Sequence, residues 1–172
     1  MVHERFEYEM LAPAAVVFDA FHFHTWRMRW DSLVRATQVE GGGECPHVGA
    51  VTSNAGGGAM RLLSMRTRFV SFDRPRGAAA VMIGRSFPFR RWAASMRHRE
   101  IDAQRSVMIY TYTIDAGPLW LAWLLEPVVK RVFDRQTHRR FERLQRFVEQ
   151  HRTEIERWQS ERQSGADATS SP

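Results

Sequence analysis

The stretch that decides the fold is PVVKRVFDRQTHRRFERLQRFVEQHRTEIERW, residues 127–158. Its large apolar residues recur at the spacing of one helix face, and the opposite side of that helix is rich in arginine. The apolar positions are Val129, Val132, Phe133, Phe141, Leu144, Val148 and Ile155. The pattern predicts one long amphipathic helix from Pro127 to about Trp158. Such a helix buries its apolar face against another layer, which the rest of the chain must supply.

The middle of the chain predicts that layer as a β-sheet. Runs with strand-like alternation are separated by turn signals, such as the glycine-rich segments at 41–43 and 56–58 and DRPRG at 73–77. The runs are ERFEYEM (4–10), VRATQVE (34–40), VGAVTSNA (48–55), MRLLSMRTRFVSF (60–72), AAAVMIG (78–84), RRWAASMRHREI (90–101) and SVMIYTYTI (106–114). The short connections between the later strands favour an antiparallel meander.

Two short helices are predicted between the first two strands. In LAPAAVVFDAFHF, residues 11–23, Pro13 occupies a suitable first-turn position and the apolar residues that follow have helical spacing. In TWRMRWDSL, residues 25–33, Thr25 is a candidate N-cap. The expected fold class is therefore α+β, with a curved antiparallel sheet of about six to seven strands against the long C-terminal helix.

The chain length, the apolar runs and the cysteine count indicate how many domains to expect and in which compartment the protein lies. With 172 residues, a single domain is expected over residues 1–160, followed by a disordered tail over residues 161–172. The first ten residues, MVHERFEYEM, lack the apolar region of a signal peptide, and no apolar run reaches the ~18 residues that span a bilayer. The single cysteine, Cys45, excludes an internal disulfide and fits a reducing compartment. The predicted localisation is the cytoplasm.

The charge is positive and is carried almost entirely by arginine. The net charge is +6, and Lys130 is the single lysine, a skew that together with frequent alanine indicates a bacterial source. A basic balance is compatible with transient contact with an anionic membrane. No specific nucleic-acid partner is predicted, because no compact basic tract or nucleic-acid motif accompanies the charge.

Three segments carry a resemblance to a known family. They are LAPAAVVFDAF (11–21), RWDSL (29–33) and GPLWLAWLLEPVVKRVFDRQTHRRFERL (117–144). Together with the element order they resemble the START-like or SRPBCC superfamily, and within it the bacterial polyketide cyclase/dehydrase-type branch. The resemblance implies the helix-grip fold of the birch-allergen-like proteins, in which the sheet folds around the final helix and leaves an apolar cavity. It also implies a hydrophobic ligand, and catalysis in only a minority of members.

Alternation along the strands predicts which side chains face this cavity. In RRWAASMRHRE one face is arginine-rich, so the other must point inward; the same argument places Leu63 inside, whereas the phase of AAAVMIG is ambiguous. The predicted ligand-binding residues are Met65, Thr67, Phe69, Met82, Trp92, Ala94, Met96, His98, Met108, Tyr110, Tyr112, Phe133, Thr137 and Phe141. Thr137 interrupts the apolar row of the helix, which favours a space there. The alternative is that Thr137 bonds its own backbone and the sheet packs over it.

Few groups in this set can do chemistry. Tyr110, Tyr112 and Thr137 could orient the polar end of a ligand. His98, Tyr110 and Tyr112 are the available acids or bases, although a lone inward histidine near a strand end is more often structural. The catalytic residues are therefore left unassigned, and no metal site and no cofactor are predicted. Cys45 has no second cysteine, and the pair His22 and His24 would point apart on a helix.

The segment LWLAWLL, residues 119–125, is unusually apolar for this chain. It is too short to span a membrane and lies between Pro118 and Pro127. One interpretation, which we favour here, is a short packed segment that closes one end of the core. The other is a partly exposed lid, whose tryptophans would suit a membrane interface next to Lys130 and Arg131.

Three functions remain open at this point. The first is a binding protein for a hydrophobic small molecule, such as a lipid, a quinone or a polyketide-like aromatic, held between sheet and helix. The second is an enzyme of the cyclase, aromatase or dehydratase type that uses the same cavity without a metal. The third is a module that interacts with a protein or a membrane. The sequence does not name the ligand or the oligomeric state.

Overall fold

One antiparallel sheet forms the main layer of the structure, a computed structural model that describes residues 1–32, 34–56, 64–117, 120 and 122–169. Within these residues the strands are β1 (Val2–Met10), β2 (Val34–Val39), β3 (Val51–Gly56), β4 (Ser64–Asp73), β5 (Gly77–Ile83), β6 (Phe89–Asp102) and β7 (Arg105–Ala116). They pair in the order β1-β7-β6-β5-β4-β3-β2, so a meander from β2 to β7 ends beside β1. The predicted fold class is confirmed.

Register shifts occur in three of the strands. They lie between Val34 and Ala36 in β2, between Phe69 and Ser71 in β4, and between Phe89 and Arg91 and between Glu100 and Asp102 in β6. A bulge of this kind adds a residue to one strand, bends it and increases its twist. The sheet is therefore curved, and its inner face holds the helices.

Two of the helices follow β1 directly, as predicted. They are α1 (Ala14–His22) and α2 (His24–Trp30). α1 begins immediately after Pro13. The N-cap of α2 is Phe23, which makes no side-chain capping bond, so the prediction of Thr25 as the cap is wrong. The physical reason is that the backbone amides of Trp26 and Arg27 already bond to the carbonyl of Phe23, which starts the helix before Thr25.

The third helix, α3 (Ala122–Thr169), is longer than predicted at both ends. It begins before Pro127, which lies inside it. A proline this close to the start leaves one early carbonyl without its helical partner, and water can satisfy that carbonyl at an exposed helix end. At the other end α3 continues past Trp158. The division into a domain over 1–160 and a tail over 161–172 stays a prediction.

The middle of α3 supplies the core that the sequence pattern indicated. Phe141, Leu144, Val148 and Ile155 are buried in one cluster with Met10 at the end of β1. α1 packs between α3 and the sheet and adds further buried apolar residues to the same cluster. No described helix has both the length and the apolar character needed to cross a membrane.

The first turns of α3 behave differently from its middle. Val132, which belongs to the predicted apolar stripe, is exposed, and so is Val128. Trp120 and Trp123 are each 76% exposed, so the interpretation of this segment as a packed closure of the core is wrong for these residues. Leu119 and Leu121 lie outside the described residues.

The inward faces of the strands agree with the predicted alternation. Thr67 and Phe69 on β4 and Met96 on β6 are buried, whereas Arg68 and Arg97 beside them are exposed. The ambiguous phase of β5 is resolved by Ala78 and Ala80, which are the buried set. Leu63, predicted to point inward, lies outside the described residues.

Gly77 fixes how closely β5 approaches β6. A Cβ at this position would lie 2.6 Å from the carbonyl oxygen of Met96. Real Cβ atoms do not come so close to a backbone oxygen, because the contact is strongly repulsive. The pairing of Gly77 with Arg97 therefore requires glycine.

Candidate ligand cavity

A cavity of about 190 Å³ lies between the inner face of the sheet and the helices. It is larger than the ~150 Å³ engineered cavity that holds benzene in another protein, and smaller than the ~300–1,000 Å³ typical of sites for drug-sized ligands. The strand residues that line it are Val34, Thr52, Asn54, Ala55, Gly56, Met65, Thr67, Phe69, Ala78, Ala80, Phe89, Trp92, Ala94, Ser95, Met96 and Tyr110. The helices contribute Phe21, His22, Arg27, Phe133 and Arg140.

Part of the predicted lining set is brought together here. The predicted residues that line the cavity are Met65, Thr67, Phe69, Trp92, Ala94, Met96, Tyr110 and Phe133. They share the inner face of the sheet or, for Phe133, the sheet-facing side of α3. Met65, Trp92, Ala94 and Phe133 are only half-buried. Their role in binding a ligand stays a prediction.

The remaining predicted residues do not line the cavity. Met108, Thr137 and Phe141 are buried in the packed interior, and Met82 packs against the same cluster from β5. Thr137 is not among the residues that line this cavity, and its role in binding a ligand stays a prediction. Tyr112 donates a hydrogen bond to the carboxylate of Asp134 on α3. Burial, followed by this bond, raises the pKa of Tyr112.

A ladder of polar side chains crosses one wall of the cavity. The hydroxyls of Thr52 and Thr67 are 2.8 Å apart, and Asn54 Nδ2 donates to Thr52 Oγ1 at 3.3 Å. Thr37 Oγ1 donates to Asn54 Oδ1 at 2.9 Å. Because these groups satisfy one another, the ladder offers the cavity little unmet hydrogen-bonding capacity.

A cluster of charges occupies another wall, at the junction of α2 and α3. Arg27 Nε donates to Asp31 Oδ2 at 3.0 Å, and Arg140 Nη2 donates to the same oxygen at 2.6 Å. The side chain of Asp31 is fully buried, and those of Arg27 and Arg140 are only 12% and 14% exposed. The ring of Phe21 lies 5.0 Å from the guanidinium carbon of Arg27 and 4.8 Å from that of Arg140. Arg27, Asp31 and Arg140 thus carry a net charge of +1 next to an apolar space.

This cluster is electrostatically incomplete. Burial lowers the pKa of Arg27, and repulsion from Arg140 lowers it further, against the attraction of Asp31. Burial by itself would raise the pKa of Asp31, but the two arginines outweigh burial and hold that pKa below its usual value. Buried charge without a counter-charge is costly. An anion in the cavity would therefore gain energy from a charge that the fold has already desolvated.

Tyr110 lies beside this cluster on β7. It is buried, it lines the cavity, and its hydroxyl has no hydrogen-bond partner among the residues that the structure describes. Burial raises the pKa of Tyr110 to about 12, while Arg140 and Arg27 act in the opposite direction. The hydroxyl therefore keeps its proton at neutral pH and can donate it to a ligand.

Two histidines lie near the cavity, and neither is suited to be a general base. His22 Nδ1 is 2.9 Å from the carbonyl oxygen of Phe18, so Nδ1 carries the proton and Nε2 is the acceptor of the neutral ring. Burial lowers the pKa of His22 to about 3. His98 does not line the cavity but stands edge-on to Phe18 at 5.7 Å, and burial lowers its pKa to about 4. Of the three candidate acids or bases, only Tyr110 is among the residues that line the cavity.

Metal chemistry has no support in the described part of the chain. No group of three histidine, cysteine or acidic residues there is placed to hold a metal ion. Burial raises the pKa of the Cys45 thiol to about 12, which disfavours the thiolate that a metal or a nucleophilic reaction needs.

Sequence reasoning missed the charged wall. The bond between Asp31 and Arg27 is local, because the two residues lie four positions apart in the sequence. The contribution of Arg140 was missed because Arg140 is one of many arginines on α3 and 109 residues separate it from Asp31. One signal was available: Arg140 directly precedes the buried Phe141, so it lies next to the packed face of the helix.

The comparisons with known proteins agree with this geometry. The model of the polyketide cyclase / dehydrase and lipid transport family matches residues 4–149. The chain belongs to this family. A comparison with curated proteins finds no match.

Solved structures similar to this member of the polyketide cyclase / dehydrase and lipid transport family share its fold. The protein XoxI from Bacillus cereus has a TM-score of 0.66 at 14% identity, with 85% of this chain and 94% of that chain covered. The Zhui aromatase/cyclase from Streptomyces sp. R1128 has a TM-score of 0.65 at 14% identity, with 87% and 94% covered. A START superfamily protein from Mycobacterium smegmatis has a TM-score of 0.68 at 10% identity, with 86% and 97% covered. The family match confirms the resemblance to the polyketide cyclase/dehydrase-type branch, and these structures show that the fold is shared.

Proposed function

We propose that this protein binds a hydrophobic small molecule that carries an acidic group. The observation that supports the proposal is the cavity of about 190 Å³, whose lining is mostly apolar and includes the buried cations Arg27 and Arg140. The apolar part of the ligand would contact the aromatic and methionine side chains of the sheet. The acidic group would contact Arg27 and accept a hydrogen bond from the hydroxyl of Tyr110.

The charged wall formed by Arg27, Asp31 and Arg140 favours some of the ligand classes that the sequence analysis left open. A lipid, a quinone and a polyketide-like aromatic all fit an apolar wall, but only some of them present a carboxylate or an acidic hydroxyl. A guanidinium binds such an oxygen by charge-assisted hydrogen bonds, which are stronger than bonds between neutral groups. The cavity volume favours a compact ring system, or the acidic end of a longer molecule.

A first experiment identifies what the protein carries. The freshly purified protein is measured by native mass spectrometry, and its organic extract is measured alongside. We expect a stoichiometric acidic compound of low molecular mass in the extract. A neutral compound at the same stoichiometry would support the cavity and contradict the acidic group.

A second experiment tests the cavity with a defined pair of probes, 2-naphthoate and its neutral counterpart 2-naphthamide. Ala94 lines the cavity, and Ala93 precedes it on the opposite face of β6. We expect Ala94→Trp to reduce binding of 2-naphthoate at least tenfold, because the indole would fill the space, and Ala93→Trp to leave binding unchanged. Equal binding by Ala94→Trp and the parent, measured by calorimetry, would refute the cavity as the site.

A second candidate function is a cyclase or dehydratase that uses the same wall. The observation that favours it is that Tyr110 and the guanidinium of Arg27 line the same cavity, where burial keeps the Tyr110 hydroxyl protonated at neutral pH. In an aldol addition, water would take the α-proton of the substrate, and the oxyanion that forms on the attacked carbonyl would be stabilised by Arg27 and accept the proton of Tyr110, which then regains a proton from water. The similarity in fold to an aromatase/cyclase is compatible with this candidate. The test is the cyclisation rate of a synthetic β-triketone; a rate equal to that of the buffer would reject the candidate and leave binding intact.

A further inference from the structure

Large apolar side chains stand exposed at one end of the molecule. Trp120 and Trp123 are each 76% exposed, and Phe87 is 70% exposed. Leu124 and Val128, in the first turns of α3, are more than half exposed. Isolated apolar residues are common on protein surfaces, whereas several large ones gathered at one end are typical of an interaction site.

Contacts of the backbone bring these residues to the same end. The amide of Gly117 donates to the carbonyl of Pro88 at 3.0 Å, which joins the loop that carries Phe87 to the chain that leads into Trp120. The amino terminus bonds to Glu126 Oε1 at 2.8 Å, which adds the exposed side chain of Met1. We call this surface the docking end; its residues are Met1, Phe87, Trp120, Trp123, Leu124 and Val128.

Positive charge borders the docking end along α3. Leu124, Val128, Arg131 and Arg135 follow one another at spacings of four, three and four residues, so they lie on one face of the helix. Arg131 and Arg135 lie ~5 and ~10 Å beyond Val128 along the helix axis. Both are exposed, and within the described residues neither forms an ion pair.

The acidic residues at this end are paired with cations other than Arg131 and Arg135. Glu126 bonds to the amino terminus, and Asp134 and Glu4 share Lys130 at 2.7 and 2.8 Å. Asp115 is paired with both Arg90 and Arg91. The apolar surface is therefore bordered by cations whose charge nearby carboxylates do not cancel.

We propose that the docking end binds the surface of an anionic lipid bilayer. Tryptophan is favoured at the boundary between hydrocarbon and head groups, and arginines a few ångströms away would meet the anionic phosphates. A second copy of the chain fits less well, because it would bring the same uncompensated cations against one another. Since no described helix can span a membrane, the contact is peripheral and reversible.

Two residues that line the cavity lie close to the docking end along the chain. Phe133 lies on α3 five residues after Val128, and Phe89 follows Phe87 by two residues. The rings of Phe89 and Phe133 are 6.1 Å apart. A bilayer bound at the docking end would therefore meet the end of the molecule that carries these two lining residues. The membrane contact itself does not depend on the identity of the ligand.

The test is co-sedimentation of the full chain with vesicles of phosphatidylcholine alone, and with vesicles that contain 40% phosphatidylglycerol. We expect binding to the anionic vesicles, and at least a tenfold loss of binding for Trp120→Ser/Trp123→Ser. Arg131→Gln/Arg135→Gln should lose about as much on anionic vesicles and stay at the parent's low level on neutral ones. Quenching of tryptophan fluorescence by brominated lipid should occur in the parent and be lost in the tryptophan variant.

Matched controls lie at the opposite end of the sheet. Leu11→Ser/Ile101→Ser removes two exposed apolar side chains there, and Arg97→Gln/Arg99→Gln removes two exposed arginines of β6. Both should bind vesicles like the parent. Parent-like binding by the tryptophan variant, or no binding of the parent to anionic vesicles, would overturn the proposal. So would a dimer in native mass spectrometry that the tryptophan variant dissolves, since it would assign this surface to self-association.

Discussion

Arg27 and Arg140 both bond to the carboxylate of Asp31. Because Asp31 has two cationic partners, Arg27 can be replaced without leaving Asp31 unpaired. If Arg27 is removed, Asp31 keeps its partner Arg140 at 2.6 Å, so the remaining pair is neutral. Replacing Arg27 should therefore weaken anion binding while the buried carboxylate of Asp31 keeps a counter-charge.

We therefore predict that Arg27→Gln binds 2-naphthoate at least tenfold more weakly and binds 2-naphthamide as the parent does. The reason is that the carboxylate loses an ion pair with the guanidinium, whereas the neutral amide carries no charge for Arg27 to pair with. Calorimetry measures both affinities, and thermal unfolding checks that the variant is folded. Arg29→Gln is the control, because Arg29 lies on the same helix but is half-exposed and pairs with Glu154. An equal loss for both probes would show that Arg27 shapes the cavity rather than binding an anion.

Single residues also show how far the site could be predicted from the sequence. Alternation along a strand has a period of two, so the inward positions Thr67, Trp92 and Tyr110 could be found from the sequence alone. Alternation does not show whether an inward side chain lines the cavity or is packed in the core. That depends on helices and strands that are distant in the sequence. Thr137 and Phe141 were assigned to the cavity, yet the surrounding core buries both. Arg140 could not be assigned, since its partner Asp31 is brought to it only by the tertiary fold.

At the scale of the elements, strands were predicted more accurately than helix ends. Each predicted strand is present, because turn residues interrupt the chain at each end of the run. The start of α3 was misplaced, because Pro127 was interpreted as the first residue of the helix although the helix begins at Ala122. The side-chain pattern of a solvent-exposed helix end carries little information, since no partner surface selects it.

Gly77 offers a test of the sheet itself. We predict that Gly77→Ala lowers the free energy of unfolding by about 1–3 kcal/mol, because its Cβ would press on the carbonyl of Met96 and force β5 away from β6. Urea denaturation measures the change. Gly165→Ala is the control: apart from the backbone of α3 itself, no atom of the described residues lies within 4 Å of the added Cβ, so this change should be neutral or slightly stabilising in α3. Unchanged stability of Gly77→Ala would show that the two strands can separate without cost.

At the scale of the whole molecule, the cavity and the docking end are two separate surfaces that both carry uncompensated arginines. The cavity contains an excess cation that is shielded from water, and the docking end carries cations that are open to it. α3 connects the two, since Arg140 lies on its packed middle and Arg131 on its exposed first turns. Variants of either surface therefore report on one function at a time.

The two buried histidines make the stability of the whole protein depend on pH. In the folded protein burial holds the pKa of His22 at about 3 and that of His98 at about 4. In the unfolded chain both would titrate near ~6.5. As the pH falls below that value, the unfolded chain takes up protons that the folded protein does not. Stability is therefore greatest above pH ~6.5 and falls with decreasing pH until the folded-state pKa is reached, by at most about 1.4 kcal/mol per pH unit for each histidine.

We predict that His98→Leu makes the stability less dependent on pH. Between pH 6.5 and pH 4, the unfolding free energy of the variant should decrease by about 2–3 kcal/mol less than that of the parent. Leucine has no nitrogen to protonate, and both ring nitrogens of His98 are buried without a partner within the described residues, so the replacement costs few hydrogen bonds. Urea denaturation at intervals of half a pH unit measures the effect, with the exposed His47→Gln as control. If the unfolding free energy of His98→Leu fell as steeply as that of the parent, His98 would not be the source of the acid sensitivity. Carboxylates such as Asp31 would then have to be the source, although the pKa of Asp31 is lowered and its protonation destabilises the protein only at a lower pH.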